Sequence, residues 1–519
     1  MNDHAITTDV TTVAIDADAG TPTTPSPARN RRVPLAIFGL LMVVFTTWTI
    51  GMPLFTSPDE AAHIFKAYGT AHFQAIGEEL PGQSTNIRLF DLPQVMAPPD
   101  GPDDGLLCYF GNPDKPAACA VGSDGATVST AAVYPPFWYA VIGGAARLTG
   151  EDTHQRVYRA ISALLCAALI AAAFESARRS RAASLSPLLF IGLTPMTVFL
   201  SGTLNPNAFE IAGFVFAWSL CLHLTSPRAP TVRAGFLVGG LVAAMLVSRF
   251  ASVVWVGGGA VVAALLLGIS GLRHLGRRFF VPAIGCTVAA LGALAAWSLY
   301  AGVSADDPRT ASDLGRNAVI RETIDRLPGM TKQMIGILGW LDTPLPGIVH
   351  VLFGVLTFVV VVGVLASRDR RLIAATAVII VALAVVPIVI NVISAPTAGL
   401  IWQGRYSLPM FAAFGVVGML GWRQVLDRSG SPAPVEHALR YGACAIFVVT
   451  EVVAFWQALR RYTVGESGKI WLTEPLPWQP DIAPMLLIPI NVVAVTALCA
   501  VILSSTSTAR QESLRSSPS

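Results

Sequence analysis

This sequence has little charge. Only 13% of its 519 residues are Asp, Glu, Lys or Arg, against 53% hydrophobic residues and a mean hydropathy of +0.60. An ordinary soluble domain is about a quarter charged, so a water-soluble globular fold is excluded. Lysine is nearly missing: Lys66, Lys115, Lys332 and Lys469 are the four in the chain. The net charge of +3 comes from arginines beside apolar runs, which set orientation in a membrane and imply no nucleic acid partner. Those runs lack the alternation of a half-buried strand, which removes the β-barrel. HExxH, paired CxxC, GxSxG and solenoid repeats are also missing. Gly465-Glu466-Ser467-Gly468-Lys469 lacks the spacing of a phosphate-binding loop, so nothing supports a nucleotide-fed reaction.

What is abundant is apolar sequence in runs of about 20 residues, the length at which a helix crosses the hydrocarbon core. Only helices and closed barrels satisfy their backbone in lipid, so the expected class is an all-α, multi-pass membrane protein. Thirteen candidate helices run from 34–55 to 483–504. Counting all of them as spans would place Arg178, Arg179 and Arg181 outside, against the inward bias of positive charge. The segment 133–148 is short and opens with Tyr134-Pro135-Pro136, so it is read as a re-entrant or interfacial helix. About 12 transmembrane helices remain, with the N- and C-termini cytoplasmic. The expected organisation is a disordered cytoplasmic tail over 1–32, a polytopic membrane domain over 33–506 and a cytoplasmic tail over 507–519. Its outer loops are 56–156, 301–346, 393–406 and 459–482.

Five cysteines lie inside apolar runs (Cys166, Cys221, Cys286, Cys444 and Cys499), where a small buried thiol is ordinary. Cys108 and Cys119 share the first outer loop and, on an oxidising face, are a candidate disulfide.

The residues able to do chemistry collect at the outer ends of the spans. Thr56-Ser57-Pro58-Asp59-Glu60-Ala61-Ala62-His63 reads first as a helix start, with Ser57 as cap, Pro58 at the first position and Glu60 completing a capping box. Asp59 is less well explained by capping. It shares a helix face with His63, and with Glu60 the three could supply a general base or hold a divalent cation; no other cofactor is indicated. Arg159 sits a turn into an apolar run, where an unpaired charge is costly. Ser201-Gly202-Thr203-Leu204-Asn205-Pro206-Asn207 has the composition of a tight turn, with Glu210 one turn further in. Arg249 joins two apolar runs at the outer boundary, either snorkelling or ready to meet a phosphate. The loop 301–346 has a polar lead (Asp306, Asp307, Asp313), an interfacial amphipathic helix from Asn317 to Leu338, and then Trp340 and Asp342. Trp402-Gln403-Gly404-Arg405-Tyr406 brings a second arginine, with an aromatic, to the same boundary.

Taken in order, SPDEAAH, YPPFWY, YRAIS, SGTLNPN, GWLDTPLP and WQGRYSLP resemble the bacterial domain-of-unknown-function 2142 family of predicted membrane proteins, over residues 35–420. That family in turn resembles the GT-C glycosyltransferases, multi-span enzymes that move a sugar from a polyprenyl-phosphate donor to a glycan, lipid or protein on the outer face. The resemblance implies a GT-C-like architecture in the bacterial inner (plasma) membrane, with juxtamembrane helices in a long first extracytoplasmic loop. It places Asp59 and Glu60, with His63 beside them, at the acidic catalytic position. Arg249, Arg405 and Tyr406 are the expected phosphate-binding set, and Arg159, Asn205, Trp340 and Asp342 the supporting groove. In two places the chain departs from the family pattern. Asn207 stands where NPD is frequent and cannot act as a base, and Arg249 replaces a frequent lysine, exchanging a compact ammonium for a planar fork.

The expected partners are the bilayer, a polyprenyl-phosphate-linked sugar donor and a glycan or lipid acceptor. Two other readings stay open. A transporter or flippase of lipid-linked glycans would draw on Glu210, Glu451 and Asn391. A non-catalytic partner in envelope assembly would use the outer motifs as an interface.

Overall fold

A computed structural model describes residues 31–84, 86–99, 107–224, 231–303, 311–430, 432–473 and 475–515, with side chains to Ser505. The expectations for residues 1–30 and 516–519, and for Asp306 and Asp307, lie outside the described residues. The chain begins with α1 (Arg32–Gly51) and, in the first long loop, α2 (Glu60–Ala71) and α3 (Pro136–Thr149). Next come α4 (Gln155–Arg178), a 3-10 helix (Ala183–Gly192), α5 (Pro195–Gly202), α6 (Pro206–Leu224) and α7 (Val232–Leu246). The long α8 (Ser252–Tyr300) leads to the polar α9 (Arg316–Gly336), then α10 (Gly347–Ser367) and α11 (Arg370–Ala398). A 3-10 turn (Gly404–Ser407) precedes α12 (Leu408–Phe411), α13 (Ala413–Arg428), α14 (Pro432–Val464) and α15 (Pro484–Arg515).

Local chemistry sets these boundaries. Pro136 opens α3 and Gly150 closes it in the left-handed region at φ 76°. Thr194, Thr231 and Asp369 accept hydrogen bonds from Thr197, Ala234 and Arg371 backbone N–H groups, capping α5, α7 and α11.

Eight of the described helices are long and apolar enough to cross a membrane, and the Ala183–Gly192 and α5 pair, bent by 75°, makes a ninth. The expected count of twelve is therefore not reached on length and composition. The difference is local: α8 counts once although it is two helical arms, broken at Gly268 and Gly276 (both at positive φ), that correspond to the segments expected at 251–270 and 279–300. In addition, α7 has only 15 residues, and the run expected at 407–425 divides into α12 and α13. The C-terminal helix continues past the expected boundary at 506.

The class is all-α, with two minor exceptions in the loops. Strands β1 (Glu78–Glu79), β2 (Arg88–Leu89) and β3 (Val128–Ser129) form a small antiparallel sheet within the first loop. Strands β4 (Ile337–Leu338) and β5 (Thr343–Pro344) make a hairpin after α9. Most of the core is one apolar cluster in which α1 packs on α4, α5 and α15, with a small second cluster of Leu267, Leu275 and Phe279 in α8. Helices α2 and α3 lie against each other, so closely at Gly143 that a Cβ there would collide with the Ala67 carbonyl. The pair roofs the end of the bundle read as outer.

Candidate active site

The loop from Met52 to Glu60 is the foundation of the site. Arg159 of α4 is fully buried and makes five hydrogen bonds. Its Nε and Nη2 donate to Glu60 Oε1 (2.7 Å) and Oε2 (2.8 Å), and its Nη1 and Nη2 donate to the Thr49, Met52 and Pro53 carbonyls. Glu60 Oε1 also accepts from the Leu204 N–H at 2.9 Å, and Oε2 from the Ser57 N–H at 3.4 Å. The expected capping box is thus half formed. The Ser57 hydroxyl has no partner, and α2 begins at Glu60 rather than at Pro58, because Asp59 turns the chain in the left-handed region at φ 62°. A non-glycine residue there is uncommon, Asp being among the types that tolerate it. Asn205 holds the same turn by donating from Nδ2 to the Pro58 carbonyl at 2.9 Å, while Trp340 donates from Nε1 to Phe55 O at 3.0 Å.

Held in this way, Asp59 turns its carboxylate to a different arginine. Arg405 Nη2 donates to Asp59 Oδ2 at 2.9 Å and to the Tyr406 hydroxyl at 3.1 Å. The Arg405 side chain is buried, yet its Nε and Nη1 have no partner among the described residues. Asp59 keeps 39% of its side chain exposed, against 0% for Glu60. The Tyr406 ring is approached by two guanidiniums, with Arg249 Cζ and Arg405 Cζ each 5.0 Å from its centre. Arg249 is oriented by Glu210, whose Oε2 accepts from Arg249 Nη1 (2.7 Å) and Asn207 Nδ2 (3.1 Å) and whose Oε1 accepts from Ser252 (2.8 Å). Gly404 is required beside this turn, because a Cβ would meet the Met330 carbonyl of α9.

The roof of the site comes from α2 and α3. His63 Nδ1 meets the Tyr139 hydroxyl at 2.9 Å, and its ring lies 6.0 Å from that of Tyr134. Burial pushes the His63 imidazolium down to about 3. Asp59 opposes this and Arg249 and Arg405 add to it, so the ring stays neutral. Burial, followed by the Tyr406 hydroxyl, raises the Tyr134 phenol to about 12. Lys66, one turn beyond His63, is fully buried; it donates to the Ala75 carbonyl and, at 2.5 Å, to Ala132 O. Burial pushes its ammonium down to about 7.

The expected residues therefore fall into groups. Asp59, His63, Arg249, Arg405 and Tyr406 converge. Arg159, Glu60 and Asn205 brace the turn that presents Asp59. Both Glu60 carboxylate oxygens are committed to Arg159 and to backbone N–H groups. Asp342 stands in a separate polar knot, where Arg461 donates to it at 3.3 Å and to the Tyr109, Asn112 and Lys115 carbonyls. That knot pins the loop closed by the Cys108–Cys119 disulfide. Sequence reasoning passed over Lys66, Tyr139 as the partner of His63, and Ser252. The sign of Lys66 was a charge inside the otherwise apolar stretch Ile64-Phe65-Lys66-Ala67-Tyr68.

A divalent cation does not suit these side chains. No three His, Cys, Asp or Glu residues gather as a metal-binding group among the described residues. Asp59 and His63 share the site with two guanidiniums, Arg249 and Arg405, a set suited to an anion.

Fold and site define a polytopic α-helical membrane protein with a paired acid and arginine at one end of its bundle. The chain belongs to the family described as "Predicted membrane protein (DUF2142)", whose model matches residues 41–413. No curated protein matches significantly. Among solved structures, the chain is similar to ArnT from Cupriavidus metallidurans in the apo state, at 14% identity and a TM-score of 0.47, covering 91% of this chain and 76% of that one. It is also similar to the same protein bound to undecaprenyl phosphate, at 15% identity and a TM-score of 0.43, covering 92% and 78%.

Proposed function

We propose that this protein is a membrane glycosyltransferase that moves a sugar from a polyprenyl-phosphate donor to a cell-envelope glycan or lipid. It acts on the extracytoplasmic face of the bacterial inner membrane, with both termini cytoplasmic. The observation that carries this reading is Arg405, a buried guanidinium with unused donors beside a half-open carboxylate. Buried polar groups left without partners are rare, and an anionic oxygen would satisfy these.

In the proposed step the acceptor hydroxyl gives its proton to Asp59 as its oxygen attacks the anomeric carbon of the donor. The bond from that carbon to the phosphate oxygen breaks, and its electron pair leaves with polyprenyl phosphate. Arg405 and Arg249 receive the growing negative charge, each beside the Tyr406 ring. His63, being neutral, orients the roof and competes with neither arginine. Glu60 and Arg159 hold the turn, and take no part in proton transfer.

The test is envelope glycan and lipid analysis of a deletion strain, followed by transfer with purified protein in detergent. Loss of one sugar in the strain and donor-dependent transfer in vitro are expected. An unchanged envelope and no transfer with any polyprenyl-phosphate sugar would overturn the reading. The transporter alternative rests on Glu451, which sits inside the bundle with Trp48 Nε1 donating to Oε1 at 2.7 Å and Oε2 unpartnered. Movement of lipid-linked glycan across proteoliposomes without transfer would favour it.

A further inference from the structure

The turn that presents Asp59 holds two non-glycine residues in the left-handed region, Phe55 at φ 67° and Asp59 at φ 62°. Side chains larger than glycine keep that backbone only where their surroundings fix it. From the helices, Arg159 takes the Met52 and Pro53 carbonyls, and Asn205 takes the Pro58 carbonyl. The Leu54 and Phe55 carbonyls are taken by outer-loop residues instead. Tyr109 donates its hydroxyl to Leu54 O at 3.1 Å, and Trp340 donates Nε1 to Phe55 O at 3.0 Å. Tyr109 directly follows Cys108, and the Phe110 ring meets Trp340 edge-on with centroids 4.9 Å apart. Both donors therefore follow the position of the loop closed by the Cys108–Cys119 disulfide. That loop is docked at several points. Arg461 Nη2 donates to the Tyr109 and Asn112 carbonyls at 2.7 and 3.0 Å, Gly111 N–H to Asp342 Oδ2 at 3.2 Å, and Ser467 N–H to Asp114 Oδ1 at 2.8 Å. Tyr109 is buried, and burial raises its phenol well above the ordinary value, so the hydroxyl stays a donor. The two cysteines are only partly buried, which leaves their bond open to a reductant.

We propose that the Cys108–Cys119 loop is a clamp on the Asp59 turn, with Tyr109 as its positioning residue, and that sugar transfer depends on the cysteine pair being oxidised. This rests on the transferase reading above and adds a redox requirement to it. The disulfide joins residues 11 apart and so restricts the arrangements open to the loop. Opening it takes two electrons and two protons from a dithiol, which leaves as its own disulfide, and yields two thiols; a disulfide oxidant reverses the exchange. The reduced loop keeps its polar contacts but gains freedom. The Tyr109 hydroxyl then spends less time on Leu54 O, and Phe55 and Asp59 relax out of the left-handed region. The phosphate-facing groups are held independently, Arg249 by Glu210 and Arg405 by the turn Gly404–Ser407. Donor affinity is therefore kept, while proton transfer to a misplaced Asp59 is lost.

The test uses full-length protein in nanodiscs in four forms: oxidised, reduced with dithiothreitol, Cys108→Ser/Cys119→Ser, and Tyr109→Phe. Hydrogen–deuterium exchange over residues 52–60 is expected to quicken about tenfold in the three altered forms. Turnover should fall about 10- to 100-fold in each, with undecaprenyl phosphate binding, read by native mass spectrometry, kept within about twofold. Reoxidation should restore the reduced parent and leave the serine variant unchanged. Tyr109→Phe keeps the ring and the disulfide and loses only the hydroxyl, so a matching effect there separates positioning from overall stability. Exchange and turnover like the parent's in the reduced protein and in Tyr109→Phe would overturn the proposal, whether or not the serine variant folds. So would a loss of donor binding in step with turnover, which marks a general structural role. An oxidised parent that transfers no sugar would overturn the transferase reading together with its redox dependence, while exchange of the turn still decides the clamp.

Discussion

Asp59 and Glu60 are adjacent acids, each paired with an arginine far away in sequence, and the two pairs are built to opposite ends. Arg159 spends its guanidinium on five hydrogen bonds to Glu60 and three carbonyls, and nothing in that pair is open to solvent. Arg405 spends one nitrogen on Asp59 and Tyr406 and leaves the other two idle, beside a carboxylate that is 39% exposed. A saturated buried ion pair fixes geometry, and breaking it strands a charge. An unsaturated one holds binding capacity in reserve. The charge types are the same; the difference in role comes from how many donors are already used.

The strongest attack on this contrast is Arg159→Met, which leaves Glu60 buried without its cation. It should destabilise the protein by about 3–5 kcal/mol, read as a large fall in melting temperature and in yield of folded protein. A stable, well-expressed Arg159→Met would show that the two pairs are not different in kind. Next in size is Arg405→Ala, expected to weaken binding of a polyprenyl phosphate by about 1.5–3 kcal/mol, roughly 10- to 100-fold, read by native mass spectrometry of the full-length protein. Asn205→Ala frees the Pro58 carbonyl and loosens the turn that presents Asp59. A stability loss of about 1 kcal/mol should appear, with turnover falling more than donor affinity. The smallest effect concerns Lys66, whose ammonium is pushed down to about 7 from 10.5. Between those pH values unfolding takes up a proton, so stability should rise with pH across the window, and this slope should vanish in Lys66→Met.

Much of this organisation is legible in residue order. Apolar runs and arginine placement show the membrane class, and Pro136 with the short run after it marks α3 as a helix apart from the long apolar helices. The amphipathic stretch expected from Asn317 to Leu338 is α9, Arg316–Gly336. Spacing of four associates Asp59 with His63, although Asp59 lies before α2 in a left-handed turn and not on a shared helix face. The partner of an acid is not legible in the same way: Glu60 and Arg159 are 99 residues apart, and Asp59 and Arg405 are 346 apart. Sequence reasoning set Asp59 apart from the capping Glu60 but could not show that one is open and the other enclosed. By length and composition eight or nine of the described helices can cross, a count that takes the two arms of α8, separated at Gly268 and Gly276, as one and leaves out α7 with its 15 residues.

The most direct measurement is transfer by purified Asp59→Asn, set beside Glu60→Gln, with a polyprenyl-phosphate sugar and the acceptor found in the deletion strain. Asp59→Asn should fold, bind donor and lose transfer by about 10²- to 10⁴-fold, the range expected when a general base is removed. Glu60→Gln should instead lose stability, with the folded fraction still active. Full transfer by Asp59→Asn, together with a stable but inactive Glu60→Gln, would contradict the account and exchange the roles of the two acids.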